Sequence, residues 1–274
     1  MCVYNQDMEA NVFSPCVSSL FSGKPVHECL APVREAGYNH YEFWSWWDQD
    51  VDKILDEQTR LAMKPAAMCT RFIPLNDPAR RSEYLQGLRE SLRVAGLLGC
   101  PVIISQAGQA LEGVTRARQH DSIRDGLTAC LPLLKGTGVT LALEPLNIQI
   151  DHPGYYLTHA TEAFDIAGEV GSGSVKVLYD IYHQYITERS PLSDILDNLN
   201  AIAHFHLAGY PGRHEPWVDS EIDYRAILRA IRSAGYEGGI GLEYSPLGDV
   251  GEGLREFAEL RVMGDITETS QLSS

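Results

Sequence analysis

Segments with the apolar patterning of strands and segments with the periodicity of amphipathic helices succeed one another along most of this 274-residue chain. That alternation is the pattern of a parallel sheet covered by helices, since each helix carries the chain back to start the next parallel strand. Eight strand candidates can be counted, at roughly 11–17, 38–43, 65–69, 101–106, 139–143, 175–179, 202–206 and 239–243. Eight is the number that closes a (β/α)8 TIM barrel, and the length suits one such α/β domain with a large core. The predicted domain is 1–264, followed by a polar, unpatterned and disordered tail at 265–274. No Gly/Ser-rich or Pro-rich linker divides the chain, and no segment is of low complexity.

The helical segments carry their apolar residues on one face. Tyr224, Ile227, Leu228 and Ile231 follow the i, i+3, i+4, i+7 spacing that packs against a barrel wall. Ala234-Gly235 then offers a left-handed cap before the strand that leads to Glu243. The same phrase occurs early, as Arg34-Glu35-Ala36-Gly37-Tyr38 before the strand running to Glu42 and Phe43, as recurring β/α units would produce.

Composition narrows the function classes. Hydrophobic residues at 44% and charged residues at 22% are those of a globular protein. The six cysteines, at 2, 16, 29, 69, 100 and 130, form no Cys-x-x-Cys pair and read as reduced thiols in a cytoplasmic protein. The stretch Met1 to Asp7 lacks the basic and apolar regions of an export signal, and no run of about 18 apolar residues occurs, so no membrane association is expected. A net charge of −15 argues against nucleic acid, whose binding rests on Lys and Arg neutralising phosphates. The expected partner is a small molecule, with room for a homo-oligomer.

Four consecutive strand candidates finish on a metal-ligand type of residue: Leu141-Ala142-Leu143-Glu144, Val177-Leu178-Tyr179-Asp180, His204-Phe205-His206 and Gly241-Leu242-Glu243. In a β/α barrel all C-terminal strand ends face one rim, so these side chains can meet although far apart in sequence. Strand alternation puts Glu144 on the face of Thr140 and Ala142, and Glu243 on that of Gly239 and Gly241. Leu141, Leu143, Ile240 and Leu242 then face the helices. Three carboxylates pointing at one place repel one another unless a cation holds them. With one imidazole they suit a single Mn²⁺, Mg²⁺ or Co²⁺, with Zn²⁺ also admissible. A lone strand-end acid is more often a helix N-cap or a loop ion pair; it is the series of four that favours a site. His204, one layer deeper than His206, reads as a satisfied core histidine.

His183, three residues after Asp180, and Arg213, in the loop Pro211-Gly212-Arg213-His214-Glu215-Pro216, can both face the mouth. Trp44-Ser45-Trp46-Trp47 after the second strand offers apolar walls for a small pocket, or a plug for the barrel top. The chain has no Gly-x-Ser-x-Gly elbow, no Gly-x-x-x-x-Gly-Lys phosphate loop and no Gly-x-Gly-x-x-Gly after a strand.

The stretches Leu143-Glu144-Pro145-Leu146-Asn147, Asp151-His152-Pro153-Gly154-Tyr155, Tyr179-Asp180-Ile181-Tyr182-His183, Pro211 to Pro216 and Gly241-Leu242-Glu243-Tyr244 resemble the xylose isomerase-like barrel superfamily, and within it the hydroxypyruvate isomerase branch. The resemblance covers almost the whole chain. It implies that Glu144, Asp180, His206 and Glu243 bind the metal, that Glu144 and Glu243 also move protons as the catalytic pair, and that His183 and Arg213 hold the substrate's oxygens. Some hydroxypyruvate isomerases have Gln where this chain has His206, while ketose 3-epimerases have His, so the sequence mixes features of both. The resemblance implies isomerisation of a small hydroxy-carbonyl compound, most simply hydroxypyruvate to tartronate semialdehyde or a related sugar acid. Ketose 3-epimerisation is the nearest alternative, and an endonuclease-type, metal-dependent phosphodiesterase a more distant one. A catalytically silent sugar-acid binder would be expected to have lost a glutamate, and both are present.

Overall fold

The computed structural model describes residues 12–189 and 191–262, so the predicted tail and Cys2 lie outside the described residues. Eight strands form one sheet: β1 (Val12–Pro15), β2 (His40–Phe43), β3 (Lys64–Cys69), β4 (Val102–Gln106), β5 (Thr140–Glu144), β6 (Val175–Asp180), β7 (Ile202–Leu207) and β8 (Gly239–Leu242). The order runs β1-β8-β7-β6-β5-β4-β3-β2, with every paired neighbour parallel. A single parallel bridge between Cys16 and Glu42 brings the two ends of the sheet together. The result is the (β/α)8 barrel expected from the alternation.

Helices surround the sheet: α1 (Val17–Leu20), α2 (Val26–Glu35), α3 (Val51–Leu61), α4 (Arg81–Leu98), α5 (Arg116–Leu134), α6 (Ala160–Val170), α7 (Ile181–Glu188), α8 (Pro191–Asn198), α9 (Tyr224–Ser233) and α10 (Val250–Val262). The α9 stripe is buried as its spacing requires, and each fully buried Ile or Leu contributes roughly 1.5–3 kcal/mol. Asp223 starts this helix by accepting a hydrogen bond from Ala226 N at 2.9 Å.

The echoed phrase is also an echo in structure. Gly37 and Gly235 both have positive φ, at 95° and 85°. In both turns the following tyrosine N–H reaches back to the helix, Tyr38 to Val33 O and Tyr236 to Ile231 O. This is the left-handed helix end that glycine permits. It also explains why β2 begins at His40 rather than at 38: Tyr38 is still tied to the end of α2.

Two apolar layers result from strand alternation. Leu141, Leu143, Ile240 and Leu242 face outward into the main core between sheet and helices. Inside the barrel, Ala67, Cys69, Ile104, Ala142 and Leu178 make a second, smaller cluster. The five described cysteines are all unpaired and buried. Among the described residues, no helix is long and apolar enough to cross a membrane.

Candidate metal centre

Glu144 closes β5, Asp180 closes β6, His206 is the next-to-last residue of β7, and Glu243 directly follows β8. Register sets them at one height: Asp180 is level with His206, and His206 with Gly241. One ligand-type atom from each of the four lies within 4.8 Å of the others, and all four residues are buried. His206 Nδ1 stands at the centre, 3.5 Å from Glu243 Oε2, 3.6 Å from Glu144 Oε1 and 4.0 Å from Asp180 Oδ2.

Asp180 combines both readings open to a strand-end acid. Its Oδ1 caps α7 by accepting from His183 N at 3.0 Å, while Oδ2 turns toward the cluster. Burial pushes this carboxyl up to about 7, against the opposing pull of Arg213 and His206. For His206 burial disfavours the charged form, but the Glu42 and Glu243 carboxylates outweigh it and hold the imidazole well above its ordinary range. Glu243 is held low, because His206 and Arg213 overcome the effect of its burial. Acids this close share their protons as a group.

The cluster has an unmet electrostatic demand. Asp180 Oδ2, His183 Nε2 and His206 Nδ1 are buried with no hydrogen-bond partner among the described residues. Native interiors seldom leave such atoms unpaired. Three carboxylates and one imidazole are also the donor set that divalent cations favour. The residues present therefore fit a divalent cation.

Arg213 is brought to the same place. Its Nη2 lies 2.5 Å from Glu243 Oε2, its Nη1 3.6 Å from Asp151 Oδ1, and its guanidinium stacks over Tyr182 at 5.3 Å. Its backbone has φ of 57°, a left-handed conformation that costs a non-glycine residue about 1–3 kcal/mol. The tight loop around Gly212 and the bond from Ser245 N to Arg213 O at 2.7 Å hold it there.

His183 is fully buried, and burial followed by the nearby Arg213 charge keeps its imidazole well below the usual range. Asn147 Nδ2 donates to His183 Nδ1 at 2.6 Å, so the ring proton sits on Nε2, on the side of Asp180. Asn147 is held by its own loop, accepting from Ile150 N and Asp151 N and donating to Asp151 Oδ2 at 2.7 Å. It lies in a stretch that carries the family resemblance, but the sequence alone assigns it no role.

A cavity of about 580 Å³ opens above the cluster. Glu144, His183, His206, Arg213 and Glu243 line its floor, and Trp44, Phe72, Ile73, Pro74, Leu111 and Leu146 form apolar walls. Trp44 donates from Nε1 to Glu243 Oε1 at 2.6 Å. Its two neighbours do not share this role. Trp46 is buried with Nε1 on Ser91 Oγ at 3.1 Å, Trp47 packs edge-on against it, and neither lines the cavity. The tryptophan cluster thus supplies one wall and no plug.

His204 is a core histidine but only half satisfied: its Nε2 lies 2.7 Å from Glu42 Oε2, while its Nδ1 is buried with no hydrogen-bond partner among the described residues. Its partner does not stand out in the sequence. Glu42 carries the same signal as the others, an acid near a strand end, but it stands one residue short of the end of β2.

The sequence profile described as xylose isomerase-like TIM barrel matches residues 30–260. Hydroxypyruvate isomerase of Escherichia coli K12 is 26% identical over 254 residues, covering 89% of this chain and 96% of that protein. A 2-oxo-tetronate isomerase of Cupriavidus necator is 32% identical over 177 residues, covering 65% of this chain and 67% of its own. The chain spans 65% of the length of the human and mouse relatives it matches. Among solved structures, an AP endonuclease, family 2, from Brucella melitensis superposes with a TM-score of 0.83 at 28% identity, over 91% of this chain and 98% of that one.

Proposed function

The chain belongs to the xylose isomerase-like TIM-barrel family, and from that premise we propose that it is a divalent-metal-dependent isomerase of a small hydroxy-carbonyl compound, acting by proton transfer through an enediolate. The observation that carries this is the convergence of Glu144, Asp180, His206 and Glu243, with orphaned buried atoms, on the floor of a substrate-sized cavity. Relatives named as hydroxypyruvate and 2-oxo-tetronate isomerases support the reaction class. The favoured substrate is hydroxypyruvate or a related sugar acid.

Glu144, Asp180, His206 and Glu243 would hold the ion, with Mn²⁺, Mg²⁺ or Co²⁺ suiting this donor set and Zn²⁺ also admissible. When bound, it would polarise a carbonyl and stabilise the negative charge left by proton removal.

The remaining work falls to side chains. Glu243 is kept as a carboxylate by His206 and Arg213, and in this reading it takes the proton from the carbon beside the carbonyl. Glu144, on a strand separated from β8 by β6 and β7, approaches from another side and returns a proton. His183 presents its Nε2–H to a substrate oxygen, in the tautomer that Asn147 imposes. Arg213 offers a planar fork to a carboxylate. Delivery of a proton to the neighbouring carbon, with the hydroxyl proton passing to the former carbonyl oxygen, isomerises the substrate, and delivery to the opposite face of the same carbon epimerises it. Exchange with solvent then returns a proton to Glu144 and removes one from Glu243.

One observation favours a second reading, ketose 3-epimerisation. A cavity of about 580 Å³ has room for more than a three-carbon acid, and its apolar walls could cover a longer sugar chain. The name of the Brucella protein raises endonuclease chemistry, which the net charge of −15 disfavours. Incubating the purified protein and Mn²⁺ with hydroxypyruvate, 2-oxo-tetronate, a set of free ketoses and abasic DNA separates these readings. Turnover of a hydroxy-keto acid is the expected result; preference for ketoses, or DNA cleavage, would replace the acid-isomerase reading.

A further inference from the structure

Glu42 is a carboxylate inside the barrel that belongs neither to the four-residue cluster nor to the cavity wall. It is 2% exposed, and a buried carboxylate is costly unless its oxygens are satisfied. Ser14 Oγ donates to Oε2 at 3.1 Å, and His204 Nε2 lies 2.7 Å from the same oxygen. The other oxygen, Oε1, is 3.1 Å from His206 Nε2, an ion-pair contact, and both atoms are buried with no hydrogen-bond partner among the described residues, so each is the nearest group the other can satisfy.

That placement matters once a cation lies among Glu144, Asp180 and Glu243, because Nδ1, the atom directed at them, must then offer its lone pair and the ring's one hydrogen must sit on Nε2, the atom that faces Glu42. A cation ligand needs this tautomer, and a carboxylate behind the ring is a recurring way to impose it.

The eighth strand is shaped around the same group. A Cβ on Gly241 would run into Glu42 Oε1 and His206 Cδ2, and one on Gly239 would lie 2.6 Å from His204 Nδ1. No side chain fits at either position without moving a histidine or the carboxylate.

We propose that Glu42 is a positioning residue, which holds the Nε2–H of His206 so that Nδ1 faces a bound cation, and is itself anchored by Ser14 and His204. This rests on the metal-dependent reading above. A second ion held by Glu42, His204 and His206 is the competing reading of the same residues. The 2.7 Å separation and the Ser14 hydroxyl on the shared oxygen are those of a hydrogen-bonded group instead.

Calorimetric titration of the chelated full-length protein with Mn²⁺ tests the proposal, with Glu42→Ala and Glu42→Asp compared to wild type. The aspartate keeps the charge but is too short to reach both histidines. Wild type is expected to take one ion per chain, and Glu42→Ala to bind it some 10–100-fold more weakly at unchanged stoichiometry. Glu42→Asp should be at least about fivefold weaker on the same grounds, and it carries the test alone if the alanine variant does not fold. The visible spectrum of the Co²⁺-loaded variants should shift, which mere loosening of the core would not cause. An affinity within about twofold of wild type in the folded variants would overturn the positioning role. So would two ions in wild type with one lost on substitution, which would assign Glu42 to a second metal site. Wild-type protein that binds no ion would instead remove the metal reading itself, and this proposal with it.

Discussion

The barrel interior has two halves of opposite chemistry. From β3 to β6, Ala67, Cys69, Ile104, Ala142 and Leu178 fill the centre with hydrocarbon and sulfur. From β7 through β8 to β2, the interior holds His204, Gly239, Glu42 and Ser14, with Glu42 hydrogen-bonded to Ser14 and His204 and the space supplied by glycine. The halves meet between β6 and β7, where Leu178 and His204 are register partners. The apolar half needs only volume and shape, so it serves stability. The polar half needs particular atoms at particular angles, and it stands directly beneath His206. Glu144 and Asp180 rise above the apolar half, where little hydration competes for them.

The strongest test of this division is at the rim. Glu144→Gln and Glu243→Gln should each lower turnover of the active substrate more than about 100-fold, with circular dichroism unchanged, because an amide of the same shape cannot accept the proton. A variant that kept more than about a tenth of wild-type activity, a barrier change below roughly 1.4 kcal/mol, would not have lost a proton carrier.

One layer down, the apolar half should respond in the opposite way. Leu178→Ala removes a fully buried side chain and should cost about 2–5 kcal/mol in urea unfolding, while ion stoichiometry and affinity stay near wild type. Should affinity fall along with stability, the two halves would not be separable.

Chelation probes the ligands together. Metal analysis should find one divalent ion per chain, and a chelator should lower the melting temperature on the order of 5–10 °C, as expected for a ligand held at about 100 times its Kd. No ion, no shift and no gain in activity on adding Mn²⁺, Mg²⁺ or Co²⁺ would remove the centre.

Arg213 offers the finest discrimination. Arg213→Lys keeps the charge but loses the planar fork, so KM for a hydroxy-keto acid should rise several-fold, about 1 kcal/mol, with little change on neutral ketoses. Equal damage to both substrate types would point to the epimerase reading.

Much of this architecture is legible in the sequence. All eight strands fall where alternation places them, and Glu144, Asp180, His206 and Glu243 meet because strand-end position is itself a spatial statement in a β/α barrel. What escapes a sequence reading depends on distance across the barrel. Glu42 contacts a histidine 162 positions away, and no local pattern links Trp44 to Glu243, 199 residues apart. Asn147 is hidden for another reason: a polar residue in a loop reads as solvated until the loop is seen to fold around it and aim its amide at His183. The tryptophan run is ambiguous because turn geometry after β2, rather than composition, decides which ring reaches the cavity.

The bridge between Cys16 and Glu42, where the ends of the sheet meet, bears on how the protein is made. A chain emerging from the ribosome carries Glu42 with β2, yet its partner His204 and the glycine clearance come only with β7 and β8. Glu243 arrives last of the four rim residues. Nascent chains halted before β8 therefore lack the set that would capture an ion, however much helix they have formed. Ion uptake would accordingly report in a single signal that β8 has joined the sheet and the barrel has closed, and a chain still lacking β8 would not hold the full set of ligands.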